Sequence, residues 1–428
     1  SAGALYHDGP DGRYMLGGAW LFRYDNGVGD RQRFQRQTST EGWSPVEVPN
    51  AWNAADQSEA SMKGTTAWYR KDFRVPSSSS KLDWVIRFES VNYRAKVWLN
   101  GRPIGHHTGA YLPWEVRLPG LKRGGVNRLV VRINNRRFPT DFPPSSFSPL
   151  GVPTGGWWNY GGILREVYLR RIDRIDFNSV QVRPDLPCAA CAATAEYRVT
   201  LRNYSPKPQR VRLTGRYGTR RVRLGTAVVG PSSFATFVHR LRISKPRLWS
   251  PASPNLYDVS LQARVGKGKR GVAVAGYALR SGIRSIKVSP DGRLILNGQY
   301  VNFRGVGLHE DDPRFGFAID NAVRRQYVAE TRDLGATLLR AHYPLHPYIH
   351  ELADRQGILI WSEIPVYSVK TAFLKRTEVR RLAVQELTDN IRANQNHPSV
   401  MLWSIGNELS TRPGPVQGYY IARAARVA

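Results

Sequence analysis

The stretch at residues 396–408 decides how this sequence is interpreted, and it reads Asn-His-Pro-Ser-Val-Met-Leu-Trp-Ser-Ile-Gly-Asn-Glu. The mostly apolar run from Val400 to Ile405 predicts a buried strand, which ends at Gly406, Asn407 and Glu408. In a barrel of parallel strands, the carboxyl ends of the strands carry the active site. A carboxyl group that loses water there has a raised pKa, which suits it to donate a proton. These residues alone leave Glu408 as either a general acid or a solvated cap of the next helix.

The region before this stretch alternates strands with helices. We predict strands at 301–306, 336–340, 358–361 and 400–405, and helices at 320–334, 347–356 and 376–395. Asp320 is a suitable helix N-cap, and Gly335 and Gly357 are suitable helix ends. Regular alternation of this kind implies parallel strands joined by right-handed crossovers.

Four such strands amount to half of a barrel. A TIM barrel has eight βα units, whereas residues 285–428 supply four. An open doubly wound sheet could also hold four strands, but no Gly-rich phosphate loop follows the first of them. We therefore interpret residues 285–428 as the N-terminal half of a TIM (β/α)8 barrel. Half a barrel leaves open sheet edges, so we expect the parent protein to continue beyond Ala428.

Polar groups follow each of the predicted strands. His309, Glu310, Asp311 and Asp312 follow the first strand, His342 follows the second and Glu363 follows the third. A single histidine at a strand end is more often structural than functional. Because four consecutive strand ends carry such groups, we expect them to meet at one rim and to form a site.

The first two thirds of the chain have a β pattern. Residues 1–175 contain many short strands with Gly and Pro turns, which predict a jelly-roll sandwich, and Asn100-Gly101 predicts a type I′ hairpin. Residues 176–284 predict an immunoglobulin-like sandwich. The Pro-rich and Ser-rich segment 136–156 is too long for an ordinary connection, which predicts a functional loop or a surface excursion. The fold class is thus multidomain β and α/β.

The formal net charge of +30 raises the hypothesis of nucleic-acid binding. Arg supplies 51 of the 63 basic residues, and they are scattered through strand-like segments rather than gathered in one basic block. No helix-turn-helix, RNA-recognition or zinc-finger pattern accompanies them. We therefore expect no specific nucleic-acid partner, only adhesion to polyanions at low salt.

Cys188 and Cys191 are the two cysteines of the chain. They cannot form a tetrahedral zinc site alone, and they leave a local disulfide or two free thiols as alternatives. The sequence contains no run of 18 apolar residues, so it predicts no membrane-spanning helix. The chain begins Ser-Ala-Gly without Met, so a signal peptide could have preceded it. A secreted or cell-envelope location is slightly favoured over the cytoplasm.

The pattern Asn-His-Pro-Ser-Val-x-x-Trp-Ser-x-x-Asn-Glu resembles a signature of glycoside hydrolase family 2, which includes β-galactosidases, β-glucuronidases and β-mannosidases. The resemblance covers nearly the whole chain. It extends over 159–163 in the first β region, 248–257 in the second, and 282–284 with 296–306 at the entry to the barrel. Residues 160–163 and Thr411-Arg412-Pro413 are more similar to the glucuronidase branch.

The resemblance implies a retaining exo-β-glycosidase of β-galactoside or β-glucuronide type. It implies that Glu408 is the general acid/base and that Asn407 binds the sugar 2-hydroxyl. His309 and His342 would line the subsite for the nonreducing sugar, and Glu363 would be a carboxylate near the site. The nucleophile would be a second Glu on a later strand, beyond this chain. Glycosidase chemistry requires no cofactor, so we expect none to be required. Some relatives use Mg²⁺ near the acid/base, which leaves Mg²⁺ binding open. Oligomers are common in the family, which leaves a homo-oligomer open.

Three positions depart from the family's pattern. Gly156 stands where many relatives have Asp, Ser362 stands where Asp commonly precedes the Glu of the third strand, and one residue rather than two separates Arg340 from His342. Two alternatives to the enzyme remain, namely a noncatalytic carbohydrate-binding fragment or relative, and a basic interaction protein.

Overall fold

The computed structural model describes residues 4–75, 82–145, 156–266 and 271–428. Three units follow one another along the chain: a jelly-roll β-sandwich, an immunoglobulin-like β-sandwich and a four-stranded parallel sheet with helices, which is half of a TIM barrel. This is the fold class that the sequence predicts. None of the helices in these ranges has the length and apolar composition needed to cross a bilayer.

The jelly roll packs a four-stranded sheet on a six-stranded sheet. Strand Asp83–Phe88 shows why, because Trp84, Ile86 and Phe88 are all buried between the sheets. The Asn100-Gly101 prediction is confirmed, since both residues have positive φ, 51° and 80°, between two antiparallel strands. The strands are β1 (Gly9–Pro10), β2 (Arg13–Met15), β3 (Gly18–Tyr24), β4 (Ser44–Val48), β5 (Thr66–Phe73), β6 (Asp83–Phe88), β7 (Val91–Asn92), β8 (Arg94–Leu99), β9 (Arg102–Thr108), β10 (Trp114–Arg117), β11 (Asn127–Asn134), β12 (Gly162–Ile163) and β13 (Val167–Ile172), with helix α1 at Glu59–Lys63 and a 3₁₀ turn at Phe34–Arg36.

The segment predicted as a loop or excursion, 136–156, falls partly outside the described residues, which omit 146–155. Its first part is anchored to the barrel. Phe142 is fully buried among apolar side chains that include Leu374 and Tyr420, and Arg137 donates to the Pro143 carbonyl. This part of the segment therefore joins two units instead of projecting into solvent.

The immunoglobulin-like unit packs sheet β1-β22-β21-β16-β17 on sheet β14-β15-β18. Strand β1 comes from the N-terminal segment and pairs with β22, so β17 is the edge on the opposite side. Cys188 and Cys191 form a disulfide, which decides between the two alternatives that the sequence left. The strands are β14 (Ile175–Asp185), β15 (Ala193–Asn203), β16 (Gln209–Tyr217), β17 (Arg220–Val229), β18 (Phe234–Ile243), β19 (Trp249–Ser250), β20 (Ser253–Pro254), β21 (Tyr257–Val265) and β22 (Val272–Ser281).

The barrel half has the parallel strand order β26-β27-β28-β29. Asp320 caps the first long helix by accepting from the Ala322 and Val323 amides, as predicted. The elements are β23 (Ile286–Val288), β24 (Leu294–Leu296), β25 (Gln299–Tyr300), β26 (Gly305–Gly307), α2 (Asn321–Asp333), β27 (Leu338–Arg340), α3 (Pro347–Gln356), β28 (Leu359–Glu363), α4 (Thr371–Leu374), α5 (Thr377–Asn394), β29 (Val400–Ser404) and α6 (Pro415–Val427).

The predicted strand at 301–306 is wrong for its first four residues. The parallel ladder begins only where Gly305 faces Leu338, and 301–304 connect the preceding hairpin to it. A strand needs a partner along its length, and the neighbouring β27 starts at Leu338. The alternation of half-buried and exposed residues in 301–304 therefore reflects packing on one side without a ladder.

The first half of the 396–408 stretch joins the barrel to the immunoglobulin-like unit. The Asn396 side chain donates to the Val180 carbonyl at 2.9 Å and accepts from the Val182 amide at 2.8 Å, as a strand residue beside β14 would. Next to it, buried His397 contacts Asp354 with Nδ1 and Oδ2 2.6 Å apart, and the other Asp354 oxygen accepts from the Ser399 amide. Asn396 and His397 are therefore docking residues, whereas the residues after Ser404 reach the candidate site.

Stability is expected to fall as pH rises between about 6.5 and 9 because of His397. Burial by itself would lower the pKa of His397, but the Asp354 carboxylate outweighs burial and raises the pKa to about 9. The folded state thus keeps a proton that the unfolded chain, with a pKa of about 6.5, releases. The contribution of protonated His397 to the free energy of unfolding is complete below about pH 6.5 and is lost as pH rises through about 9. This contribution totals roughly 3 kcal/mol. Urea denaturation at pH 6, 7.5 and 9 measures it.

The control for this prediction is a second buried group. Burial raises the pKa of Glu386 to about 8, so Glu386 also makes stability fall as pH rises. His397→Gln should remove only the part centred on His397, and Glu386→Gln only its own part. An unchanged pH profile in His397→Gln would contradict the assignment.

Candidate active site

Glu363, the last residue of β28, is the fixed centre of the strand-end rim. Its side chain is fully buried, and its Oε2 accepts from Arg340 Nη2 at 2.7 Å and from Ser404 Oγ at 2.8 Å. Its Oε1 lies 2.7 Å from His342 Nδ1. Because the strands on both sides of β28 supply these partners, the carboxylate is held rigidly and both of its oxygens are engaged.

Arg340 connects this carboxylate to Asn407. The Arg340 Nη2 that contacts Glu363 also donates to the side-chain Oδ1 of Asn407 at 2.8 Å. The backbone N–H of Asn407 donates to the Val366 carbonyl. With its side-chain oxygen used in this way, Asn407 presents its NH₂ group as the remaining donor. The guanidinium also lies over the Trp361 ring, 4.8 Å from its centroid. Arg340 therefore sets the direction in which Asn407 can donate.

Glu408 follows Asn407 in a left-handed backbone conformation with φ of 52°. Its carboxylate accepts from Ser368 Oγ at 3.4 Å, and Ser368 itself has φ of 51°. The side chain is exposed, which differs from the expectation of a desolvated carboxyl. The chain leaves β29 at Ser404, and among the described residues Ser368 is the side chain that hydrogen-bonds the carboxylate.

His309 and His342 flank the rim at the ends of β26 and β27. Their ring centroids are 5.9 Å apart, and Tyr367 lies 5.8 Å from His342. Burial lowers the pKa of His309, against the opposing effect of Asp311, so the neutral imidazole is favoured. A cleft of about 330 Å³ opens here, and it is lined by β26 together with His309, Arg340, His342 and Trp361. Flat rings beside hydrogen-bonding groups suit a sugar ring.

The carboxylate next to His309 does not belong to the rim. Glu310 is buried and pairs with Arg165 of the jelly roll, and its other oxygen accepts from the His346 amide at 2.8 Å. The expectation that all the polar groups after β26 meet at the rim is therefore wrong for Glu310, because a buried arginine from another unit draws it away. Asp311 is instead reached by the Tyr160 hydroxyl at 3.3 Å.

A second buried cluster, Glu166 with Arg324 and His346, joins the jelly roll to the barrel. Glu166 Oε1 accepts from Arg324 at 2.7 Å, and Oε2 lies 2.6 Å from His346 Nε2. Burial opposes ionisation of Glu166, yet Arg324 and His346 hold its pKa well below the usual range. Contacts with Glu166 of the jelly roll therefore fix the position of the loop after β27, which contains His346.

The three departures from the family's pattern have different outcomes. Ser362 is buried and accepts from Asn390 at 2.9 Å, so a neutral hydroxyl suits that place. The short spacing of Arg340 and His342 lets both contact Glu363. Gly156 is exposed and has no side chain to reach the cleft. Sequence reasoning assigned no site role to Arg340, Tyr160, Ser368 or Tyr367, and only the position of Arg340 at a strand end could have indicated one.

In the described ranges, the one group of three side chains that could converge on an ion is His7, Asp8 and Glu351, on the N-terminal segment and α3. Glu351 there already accepts from the His7 and Asp8 amides. At the rim, Glu363 is occupied by protein donors and Glu408 has Ser368 as its hydrogen-bond partner. Within the described ranges, no group of three ligand side chains converges on one point beside Glu408.

Comparison with known proteins gives one matching family profile for each of the three units. Three family profiles match: "Glycosyl hydrolases family 2, sugar binding domain" at residues 15–172, "Glycosyl hydrolases family 2" at 174–284, and "Glycosyl hydrolases family 2, TIM barrel domain" at 286–428. A β-glucuronidase of Paenibacillus borealis is 28% identical over 421 residues, which cover 92% of this chain and 67% of that protein.

Solved structures show the same fold. A GH2 β-galacturonidase from Eisenbergiella tayi, bound to galacturonate, superposes with a TM-score of 0.83 at 24% identity and covers 99% of this chain and 70% of its own. The β-glucuronidase of Bacteroides uniformis gives 0.83 at 22% identity, with 97% and 50% covered. The chain spans from 43% to 68% of the length of the curated relatives it matches.

Proposed function

Because this chain belongs to glycoside hydrolase family 2, we propose that its protein is a retaining exo-β-glycosidase that releases terminal β-linked uronic acids. The observation that carries the proposal is the contact chain from Glu363 through Arg340 to Asn407, directly beside Glu408. This series of contacts holds the side-chain amide of Asn407 next to the carboxyl group of Glu408 at the strand ends. A glycosidase needs this combination, a donor for a sugar hydroxyl and an acid for the leaving oxygen.

In the proposed reaction, Glu408 protonates the oxygen of the departing group and later removes a proton from the attacking water. Asn407 donates to the sugar 2-hydroxyl, a contact that strengthens in the transition state. His309 and His342 line the subsite of the nonreducing sugar, with the His342 ring oriented by Glu363. Arg340 is a positioning residue, because its contacts are with Glu363 and Asn407.

Retaining chemistry needs a second carboxylate about 5–5.5 Å from the acid/base. Glu363 is a poor nucleophile because it is buried and accepts from Arg340, His342 and Ser404. We therefore assign the nucleophile to a glutamate that these 428 residues do not supply. A noncatalytic carbohydrate-binding protein is the second candidate, because the cleft lined by His309 and His342 could hold a sugar without any acid/base.

Preference for uronic acids is the finer part of the proposal. It is supported by the curated relatives that carry the name β-glucuronidase and by the neighbour bound to galacturonate. The sequence of residues 160–163 and 411–413 leans the same way. We propose carbohydrate as the partner, no required metal, and a secreted or cell-envelope location, which suits the Cys188–Cys191 disulfide.

The test is hydrolysis of aryl β-glycosides by the protein isolated from its source, with its intact mass measured. Turnover of glucuronides or galacturonides well above galactosides, unaffected by EDTA, supports the proposal. Turnover of β-galactosides alone would overturn the uronide preference. Sugar binding without turnover of any glycoside, at a mass near 48.3 kDa, would favour the noncatalytic candidate.

Replacing Arg340 with Lys is expected to lower kcat more than it raises KM. Lys keeps the charge near Glu363 but lacks the planar fork in which Nε and Nη2 hold Glu363 while Nη2 also holds Asn407, so the Asn407 side-chain amide loses its fixed direction. A misplaced contact of this kind costs about 10²-fold in rate. Steady-state kinetics of the protein measure it, and Arg332→Lys on exposed α2 is the matched control. Equal kcat in both variants would contradict the positioning role.

A further inference from the structure

The positive charge of the chain is concentrated in the immunoglobulin-like unit. Residues 176–284 contain twenty Lys and Arg but four Asp and Glu, a net charge of +16 out of the +30 of the whole chain. These basic residues look scattered along the sequence, yet strands bring them together. A quarter of the chain therefore holds more than half of its net charge.

Several arginines lie on the outer surface of three adjacent strands, and we call a group of five of them the arginine face. They are Arg212 and Arg216 on β16, Arg221 and Arg223 on β17, and Arg264 on β21. Arg216 lies directly opposite Arg221, and Arg212 lies directly opposite Arg264. Neighbouring strands are about 4.8 Å apart, so these pairs set like charges side by side.

No carboxylate compensates the arginine face within the described part of the chain. None of the five guanidinium groups has an Asp or Glu oxygen within 4.0 Å there, and the segments outside it contain no Asp or Glu. On the same sheet, by contrast, Arg280 lies 3.5 Å from Asp258. Like charges directly opposite one another destabilise a sheet. The fold therefore keeps an arrangement that is unfavourable without an anion.

Protection of a sheet edge does not account for this pattern. Charged residues on an edge strand hinder pairing with other chains, and β17 is such an edge. Arg212, Arg216 and Arg264, however, lie on β16 and β21, which are inside the sheet. Contacts with the other units are made at β14, at β22 and at Trp249, and in the described part of the chain no side-chain hydrogen bond or ion pair joins the arginine face to another unit.

We propose that the arginine face binds a linear acidic polysaccharide through its carboxylates. Guanidinium groups bind carboxylates through paired hydrogen bonds, and a flat row of them matches an extended chain of repeating charges. Single-stranded nucleic acid would need aromatic platforms, and the outward residues of β16 and β17 are Arg, Thr, Gly and Val. Duplex DNA would need an element that enters a groove, whereas this surface is a flat sheet.

This inference goes beyond the proposed function and does not depend on it. The arginine face belongs to the second unit, and the cleft belongs to the barrel half. Binding is therefore measured without turnover, on the full 428-residue chain. A failure of hydrolysis would leave the binding result intact, and the reverse also holds.

The test compares two triple variants with equal charge. Arg216→Thr, Arg221→Thr and Arg223→Thr remove part of the arginine face, whereas Arg31→Thr, Arg102→Thr and Arg123→Thr remove three exposed arginines of the jelly roll. Affinity for polygalacturonate is measured by calorimetry at 50 and 150 mM NaCl. We expect about tenfold weaker binding for the first variant and less than twofold for the second, with the difference shrinking at high salt.

Melting temperature separates binding from folding. Removal of facing like charges should leave the first variant as stable as the parent or slightly more stable. Equal loss of affinity in both variants would show a general charge effect and overturn the proposal. Tighter binding of single-stranded DNA than of polygalacturonate, lost in the first variant, would overturn it in favour of a nucleic-acid surface.

Discussion

Replacing Glu408 with Gln is expected to lower kcat for aryl β-uronides by about 10²- to 10⁴-fold, the range that a general acid/base contributes. The loss in kcat/KM, which reports the step that releases the leaving group, should be smaller for a dinitrophenyl leaving group than for methylumbelliferyl, because a weakly basic leaving group needs less protonation. Gln keeps the shape of the side chain, so the melting temperature should change little, whereas KM for the dinitrophenyl substrate should fall because the covalent intermediate accumulates. Steady-state kinetics on both substrates measure the difference.

Glu378→Gln on α5 is the matched control, since Glu378 is also exposed and lies outside the cleft. It should keep full activity. If Glu408→Gln loses the same factor in kcat/KM for both leaving groups, or nothing, Glu408 is not the acid, and the proposed mechanism fails at that residue.

Glu166→Gln is expected to lower the free energy of unfolding by about 3–5 kcal/mol, because it leaves Arg324 buried and without its charge partner. Arg324 and His346 hold the pKa of Glu166 below the usual range despite burial. The stabilisation is therefore complete above the pKa that Glu166 has in the unfolded chain. It is lost as pH falls through the lower pKa that Glu166 has in the folded protein. Urea denaturation at pH 7 and pH 4 measures the loss, which should be smaller at pH 4.

Two further variants test this interpretation. Glu41→Gln changes an exposed carboxylate and should alter stability by less than about 0.5 kcal/mol. The double variant Glu166→Leu with Arg324→Leu removes both charges and should recover part of the loss. A loss under about 1 kcal/mol in Glu166→Gln would mean that the cluster does not hold the two units together.

Local signals predicted much of the fold. Asn100-Gly101 tolerates positive φ and forms the predicted turn, and Asn297-Gly298 forms a turn of the same kind between β24 and β25. Asp320 begins a helix for a reason that is visible within three residues. The segment 301–304 has the same alternating pattern as a strand, but its state depends on where β27 begins, more than thirty residues later.

The site was predictable as far as strand ends determine it. Adjacent parallel strands bring their carboxyl ends together, which places His342 beside Glu363. Contacts between units carry no such periodicity, so the diversion of Glu310 to Arg165, 145 positions earlier, could not be foreseen. Arg340 at a strand end reads as a solvated charge until Glu363 and Asn407 are seen on either side of it.

The left-handed backbone at Glu408 has a consequence for laboratory evolution. A glutamate with φ of 52° holds about 1 kcal/mol of strain that glycine would not have. A mutant library selected only for survival of heating should therefore accumulate Gly or Asn at position 408. Under joint selection for heat survival and turnover, Glu should persist there. The residue recovered at this one codon would report which of the two demands the selection imposed.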